Sequence, residues 1–386
     1  MDQPRKTALV LSGGGARGAY QVGVLKALAE GLQPGQMPFS IITGISVGAL
    51  NAVVLASSPN DFRAGVEKLE AIWQELTCQQ VYRTDLSAMV TQLGGWMRAL
   101  LFGWMGANPP RSLLDNAPLR KLVETHVDFQ TIKDSVGRSA LEAIAITASS
   151  YATGQAITFF QGQHGIEPWR RARRHGRAVT LTADHVMASS ALPLVFPSVR
   201  IGREWFGDGA LRDNAPLSAA IHLGCDHIVV IGARDGKPDT SDDDTSPPPH
   251  PSLGDLSGQL LDIVFNDDLE ADAERLARIN TTLAMMDPAI MTSQNLRHIG
   301  LTRVQPTEDV RCFAGEHLDE LPRSVRLILR YMGALRAPYV VPSYLTFEPG
   351  YIGALMEMGY KDGLKTDWDT ILRAARARPA YAANGS

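Results

Sequence analysis

Phe39-Ser40-Ile41-Ile42-Thr43-Gly44-Ile45-Ser46-Val47-Gly48-Ala49-Leu50 is an apolar run that meets a small-residue turn and continues as a helical pattern. The run through Ile41 and Ile42 reads as a buried strand, and Val47 to Ala56 as a helix. Ser46 therefore sits at a strand-to-helix elbow, where a tight turn turns a hydroxyl out of the sheet end. Gly44 and Gly48 let the backbone take that turn and let a substrate approach closely. A G-x-S-x-G match is weak by itself in a chain with 35 glycines, so its meaning depends on its neighbours.

Upstream, Lys6 to Ser12 reads as a strand, Gly13-Gly14-Gly15-Ala16-Arg17-Gly18 as a loop, and Ala19 to Glu30 as a helix. Alternating strand and helix predicts an α/β fold with a mostly parallel sheet and functional loops at the strand C-terminal ends. The loop's amides and the helix end behind it suit an anion. That anion could be a phosphate or the oxyanion of an ester under attack. The loop lacks the Lys-Ser/Thr ending of a Walker loop, and no acidic residue near positions 38 to 40 offers a ribose contact. Pairing with Ser46 favours acyl chemistry.

A serine nucleophile needs a base. The nine histidines give no evident candidate: His175 lies in an arginine run, His185 in a short helix, and His227 and His298 at strand starts. Asp208, in Trp205-Phe206-Gly207-Asp208-Gly209-Ala210, ends a short apolar strand as Ser46 does. An aspartate with an ordinary pKa near ~3.9 is a poor base, so burial would have to raise it. A plain Asp-Gly turn is the competing account of the same residues.

The 386 residues are 45% hydrophobic and 20% charged, an ordinary globular composition, and a net charge of -4 gives no sign of a nucleic-acid binder. Cys78, Cys225 and Cys312 lie far apart without metal-type spacing. They point to a reduced compartment, and the early strand leaves no room for a signal peptide; a cytoplasmic protein without a membrane span is expected. No metal or cofactor site is evident. Met89 to Gly106 is apolar and Trp-rich but shorter than a spanning helix of ~20 residues. It reads either as a buried helix or as a cap that meets lipid. Arg170, Arg171, Arg173, Arg174 and Arg177, next to Trp169, read either as a solvated loop or as a contact for anionic lipid.

Further strands are expected at Leu141 to Ala148, Gln155 to Phe160, Leu194 to Ile201 and His227 to Ile231. Residues 60 to 130 look like a helical insertion in a catalytic domain of residues 5 to 235. The Asp- and Pro-rich residues 236 to 251 should be a mobile loop. Beyond it, residues 252 to 370 should complete the same domain, with strand-like Ile299 to Val304 rejoining the sheet. The helical pattern from Leu253 has Leu256, Leu260, Val264, Leu276, Ile279 and Leu283 as inward positions.

Taken together and in order, Gly13 to Gly18, Gly44 to Gly48, Ala188-Ser189-Ser190-Ala191 with Pro193 and Phe196-Pro197, and Asp208-Gly209-Ala210 with Asn214 and Pro216 resemble the patatin-like phospholipases. The resemblance spans roughly residues 7 to 235, with an echo at Tyr351 to Gly363. Ser198 and Ala210 depart from the family's usual proline and glycine. The resemblance implies a three-layer α/β/α fold and a metal-free Ser-Asp dyad that cleaves fatty acyl esters of lipids or phospholipids. Ser46 would attack, Asp208 would take the proton, and amides of Gly13, Gly14 and Gly15 in the loop with Arg17 and Gly18 would form the oxyanion hole. Gly44 and Gly48 would shape the elbow, and Gly209 and Ala210 the base motif. Acyl transfer to an alcohol, and a silent lipid- or nucleotide-binding protein, are the alternatives. Head group, chain length and oligomeric state are not encoded in any residue singled out.

Overall fold

The computed structural model describes residues 6–58, 60–85, 112–138, 140–234, 250–294 and 296–377. The Trp-rich stretch 89–106 and most of the Asp- and Pro-rich stretch 236–251 lie outside the described residues.

The described strands form one ten-stranded sheet. They are β1 (Thr7–Leu11), β2 (Ile41–Ile45), β3 (Ala143–Ser150), β4 (Ala156–Gly162), β5 (Arg170–Arg171), β6 (Arg174–Ala178), β7 (Val199–Ile201), β8 (Glu204–Asp208), β9 (His227–Ile231) and β10 (Gly300–Val304). The order is β10-β9-β1-β2-β3-β4-β6-β5, with β8 on β3 and β7 on β8. Neighbours from β10 through β3 are all parallel. Such strands are buried on both faces, which explains why β1, β2 and β9 read as continuous apolar runs rather than alternating ones.

The two faces feed different cores. On β1, Leu9 and Leu11 point into the larger core with Val22, Leu25, Val53 and Trp73. Ala8 and Val10 point into the other with Leu217, Ala220, Leu269 and Leu276. Helices α1 (Ala19–Glu30) and α2 (Val47–Ala56) supply the first layer, and Ser218–His222 and Asp268–Leu283 the second. The result is the three-layer α/β/α arrangement. Between α2 and β3 the described elements are helical, at Phe62–Gln74, Cys78–Val81, Ala117–His126 and Phe129–Gly137.

Three expectations change. Only Val199–Ile201 of the 194 to 201 segment is a strand. Pro193 and Pro197 withdraw backbone donors there, and Leu194 turns at φ 66. The arginine run is not a plain loop but the edge strands β5 and β6, with Trp169 stacked between Phe160 at 5.0 Å and His222 at 5.2 Å. Leu256, Leu260 and Ile279 are not inward: they are 54%, 64% and 49% exposed. The helix of the two leucines, Leu253–Asp262, packs through Gly254, Gly258 and Asp262 instead, because a glycine face allows an approach that leucines would block; Ile279 lies on the separate helix Asp268–Leu283.

Candidate active site

β2 ends with Ile45 beside Thr147 of β3. β8 runs the opposite way along β3 and ends with Asp208 beside Ala148, one rung further on. Two strand ends thus arrive from opposite directions on consecutive rungs of one strand, which brings Ser46 and Asp208 together across 162 positions of chain.

Ser46 is held at φ 54, ψ −124, a conformation that non-glycine residues rarely take and that marks a strained elbow. Local support keeps it there. The Ser46 N–H donates to Ser189 Oγ at 2.8 Å, and Ser189 Oγ donates to the Thr147 carbonyl at 2.6 Å. Gly48 lies directly over the Leu11 and Ser12 carbonyls, where any Cβ would collide with backbone. Gly44 faces the Gly48 carbonyl in the same way.

Asp208 is fully buried. Its Oδ1 accepts from the Ala210 N–H at 3.0 Å, while Oδ2 completes no hydrogen bond among the described residues. Loss of hydration raises its pKa to about 7, against smaller lowering effects from the Ser46 hydroxyl and the Ala210 amide. The Ser46 hydroxyl therefore faces the carboxylate closely enough to favour its charge, yet the pair is not locked in a full hydrogen bond. Such slack is common before substrate arrives. Gly209 presses on the Thr147 carbonyl, and its own carbonyl accepts from Ser149 Oγ at 3.2 Å.

The glycine loop lies against this pair: a Cβ on Gly13 would stand 3.3 Å from Ser46 Cβ. Gly14 and Gly15 have φ 153 and 57, which glycine alone takes without strain. Among the described residues, no hydrogen bond occupies the N–H of Gly13, Gly14, Gly15 or Ala16. The Arg17 N–H is already used, donating to the Gly14 carbonyl at 3.2 Å. Two buried amides bracket the loop. Gln21 Nε2 donates to the Ser12 carbonyl at 2.8 Å, and Asn51 Nδ2 to the Gly18 carbonyl at 3.3 Å. Trp73 Nε1 in turn donates to Asn51 Oδ1 at 2.9 Å.

Arg17 is fully buried. Its Nε and Nη2 donate to Ser343 Oγ at 3.0 and 2.7 Å, and Nη1 to Tyr344 Oη at 3.0 Å and Asp262 Oδ1 at 3.3 Å. The guanidinium also stacks over the Tyr344 ring at 3.8 Å. Asp262 further receives Arg311 at 3.7 Å and Arg234 at 3.9 Å. A small apolar cluster of Ile45, Ala210, Phe265 and Tyr344, joined by Leu192, Leu261, Val264 and Val340, surrounds the pair.

Sequence reasoning named Ser189 only as part of the family block Ala188 to Ala191, without a role, and missed Gln21, Asn51, Asp262, Ser343 and Tyr344 as site supports. Asn51 alone left a signal, a polar side chain within the apolar helix VGALNAVVLA. The histidines lie elsewhere: His185 is buried against Phe159, with its pKa lowered by that burial, and His227 bonds Thr302. Among the described residues, no group of three or more His, Cys, Asp or Glu side chains is placed to hold a metal ion. None of the described helices is long and apolar enough to cross a membrane.

A patatin-like phospholipase model matches residues 9–221, more than half the chain, and the protein belongs to that family. Among curated relatives, a cGAMP-activated phospholipase of Pseudomonas aeruginosa is 29% identical over 220 residues, covering 57% of this chain and 56% of that protein. Calcium-independent phospholipase A2-gamma of Mus musculus is 24% identical over 216 residues, covering 55% of this chain and 25% of that protein. The chain thus spans about half the length of its bacterial relative. Human GIVD cytosolic phospholipase A2 superposes with a TM-score of 0.43 at 12% identity, over 97% of this chain and 61% of that one.

Proposed function

We propose that the protein is a lipid acyl hydrolase that cleaves fatty acyl esters of phospholipids or related lipids through a Ser46–Asp208 dyad. The observation that carries the proposal is the meeting of the two strand ends on β3, which sets a strained serine against a buried carboxylate whose pKa is raised to about 7. Asp208 then has a basicity suited to accepting the Ser46 proton near neutral pH. Ser46 Oγ attacks the acyl carbonyl, and the unoccupied amides of Gly13, Gly14 and Gly15 receive the developing negative charge. Collapse expels the alcohol, which takes the proton from Asp208. Water, deprotonated by Asp208, then attacks the acyl-enzyme, and the fatty acid leaves as Asp208 returns that proton to Ser46 Oγ. Arg17 and Gly18 act by holding the loop. The apolar cluster around the pair offers an acyl chain a dry lining.

The test is turnover of a p-nitrophenyl ester together with labelling by a fluorophosphonate probe. Wild-type protein should turn over the ester and be labelled at Ser46, and Ser46→Ala should lose both. Absence of turnover and label in the folded wild type would end the proposal.

A further inference from the structure

The helix Leu253–Asp262 has its polarity inverted. It buries Gly254 against Ala334 and Gly258 against Val340, and turns Leu253, Leu256, Leu260 and Ile263 outward at 62%, 54%, 64% and 46% exposure. Their spacing of three, four and three residues makes one continuous apolar stripe along the helix. Soluble surfaces tolerate scattered apolar side chains, whereas a contiguous row marks a contact.

The stripe leads to the candidate site. It continues into the π-helical turn Ile263–Asp267, where Val264 and Phe265 join Leu261, Ile45, Ala210 and Tyr344 around Ser46. Its other end abuts the helix Arg323–Tyr331, since the Gly254 N–H donates to the Met332 carbonyl at 2.6 Å. Beside that junction a groove of about 670 Å³ is lined by Arg323, Arg326, Arg330, Arg336, Leu327 and Asp319, among others. Asp319 is taken by Arg326 at 2.6 Å. Arg323, Arg330 and Arg336 form no ion pair among the described residues, although Arg336 adds its charge to the Ser252 hydrogen bonds that lower the Asp255 pKa. Leu327 and Tyr331, 44% and 85% exposed, stand on the same helix.

We propose that this face docks the protein onto an anionic phospholipid surface. The leucine stripe and Tyr331 enter the boundary between head groups and acyl chains, and Arg323, Arg330 and Arg336 meet lipid phosphates. Charge selects that occupant. The unpaired guanidiniums of Arg323, Arg330 and Arg336, set at the end of an apolar stripe, match the anionic head groups that lie above an acyl layer. Continuity with the Phe265 cluster places the stripe next to the apolar residues that flank Ser46 and Asp208. The choice of a lipid occupant rests on the lipid-ester proposal above.

Flotation of the full chain with phosphatidylcholine vesicles, with and without phosphatidylserine, tests it. Wild type should float, and more strongly with phosphatidylserine. Leu256→Asp/Leu260→Asp should lose binding tenfold or more on both vesicles. Arg330→Ala/Arg336→Ala should lose only the phosphatidylserine preference, by about fivefold per arginine. Both variants should keep soluble-ester turnover and fluorophosphonate labelling, which also shows that they fold. Wild-type protein that fails to float, or aspartate variants that float normally, would overturn the proposal. So would a wild-type dimer that the aspartate variant dissociates, since the stripe then covers a second copy. Failure of flotation with turnover intact leaves the hydrolase proposal standing, and lack of turnover in the wild type removes that proposal instead.

Discussion

The chain up to residue 234 and the chain from residue 250 onward meet at one site in unlike ways. The first supplies the groups proposed to face an ester: Ser46, Asp208 and the glycine loop, all at ends of strands paired to one another. The second supplies no such group, but Asp262, Ser343 and Tyr344 hold Arg17, and Phe265 covers Gly13. The proposed dyad comes from a sheet whose register fixes it, while the loop beside it is fastened from outside the matched family region, by residues more than 240 positions away. A glycine loop has little stiffness of its own, so a buried guanidinium anchored at several points substitutes for side chains the loop cannot carry.

The largest effect should come from the first region. Asp208→Asn removes the proton acceptor and should lower kcat/KM by about 10³ to 10⁴-fold, near the effect of losing a triad member elsewhere. In the wild type the base must be unprotonated, so kcat/KM should rise with pH through about 7 and then level. Stability should move the other way. The folded pKa lies above the unfolded value, so the folded state binds the extra proton between roughly pH 4 and 7 and loses stability as pH rises across that window. Asp208→Asn should abolish that decline and be more stable at pH 8, on the order of 2 kcal/mol by urea unfolding. A flat pH-rate profile would remove Asp208 from the role of base.

Next is the anchor. Asp262→Asn leaves the buried Arg17 and its neighbours without their shared carboxylate, which typically costs roughly 3 to 5 kcal/mol of stability. Turnover of a soluble ester should fall about 100-fold, chiefly in kcat, and Asp262→Glu should restore part of it. If unfolding shifts as expected but kcat in the surviving native protein is unchanged, the second region only stabilises, and the contrast collapses. The smallest effect belongs to Tyr344→Phe. It keeps the ring under Arg17 but loses the hydroxyl that contacts Arg17 and Asp262, each at 3.0 Å, so stability should drop about 1 to 2 kcal/mol and kcat only a few-fold.

The strands were readable wherever burial on both faces left an unbroken apolar run, as in β1, β2 and β9. The segment from 194 failed because prolines interrupt it, and the helix from 253 was assigned the wrong inner face. Leucine spacing reports an apolar stripe but not which way it points. Here two glycines took the inside and the leucines were left to solvent. The site was legible in the same uneven manner. Ser46 and Asp208 stand at strand ends with glycines beside them, a local pattern. Ser189 is marked only by the resemblance and Asp262 not at all, since a serine in a short helix and an aspartate at a helix end are ordinary until something folds against them.

The sequence by itself determined the alternation of strand and helix, the elbow at Ser46, the glycine loop and the resemblance that joins them. These are features of neighbours in the chain, written in periodicity and in the backbone freedom of glycine. Tertiary structure alone decided that β8 ends one rung past β2, that burial lifts Asp208 to about 7, and that Arg17 pairs with Asp262. Register, desolvation and charge pairing depend on what distant segments bring to one place, and no window of sequence contains that.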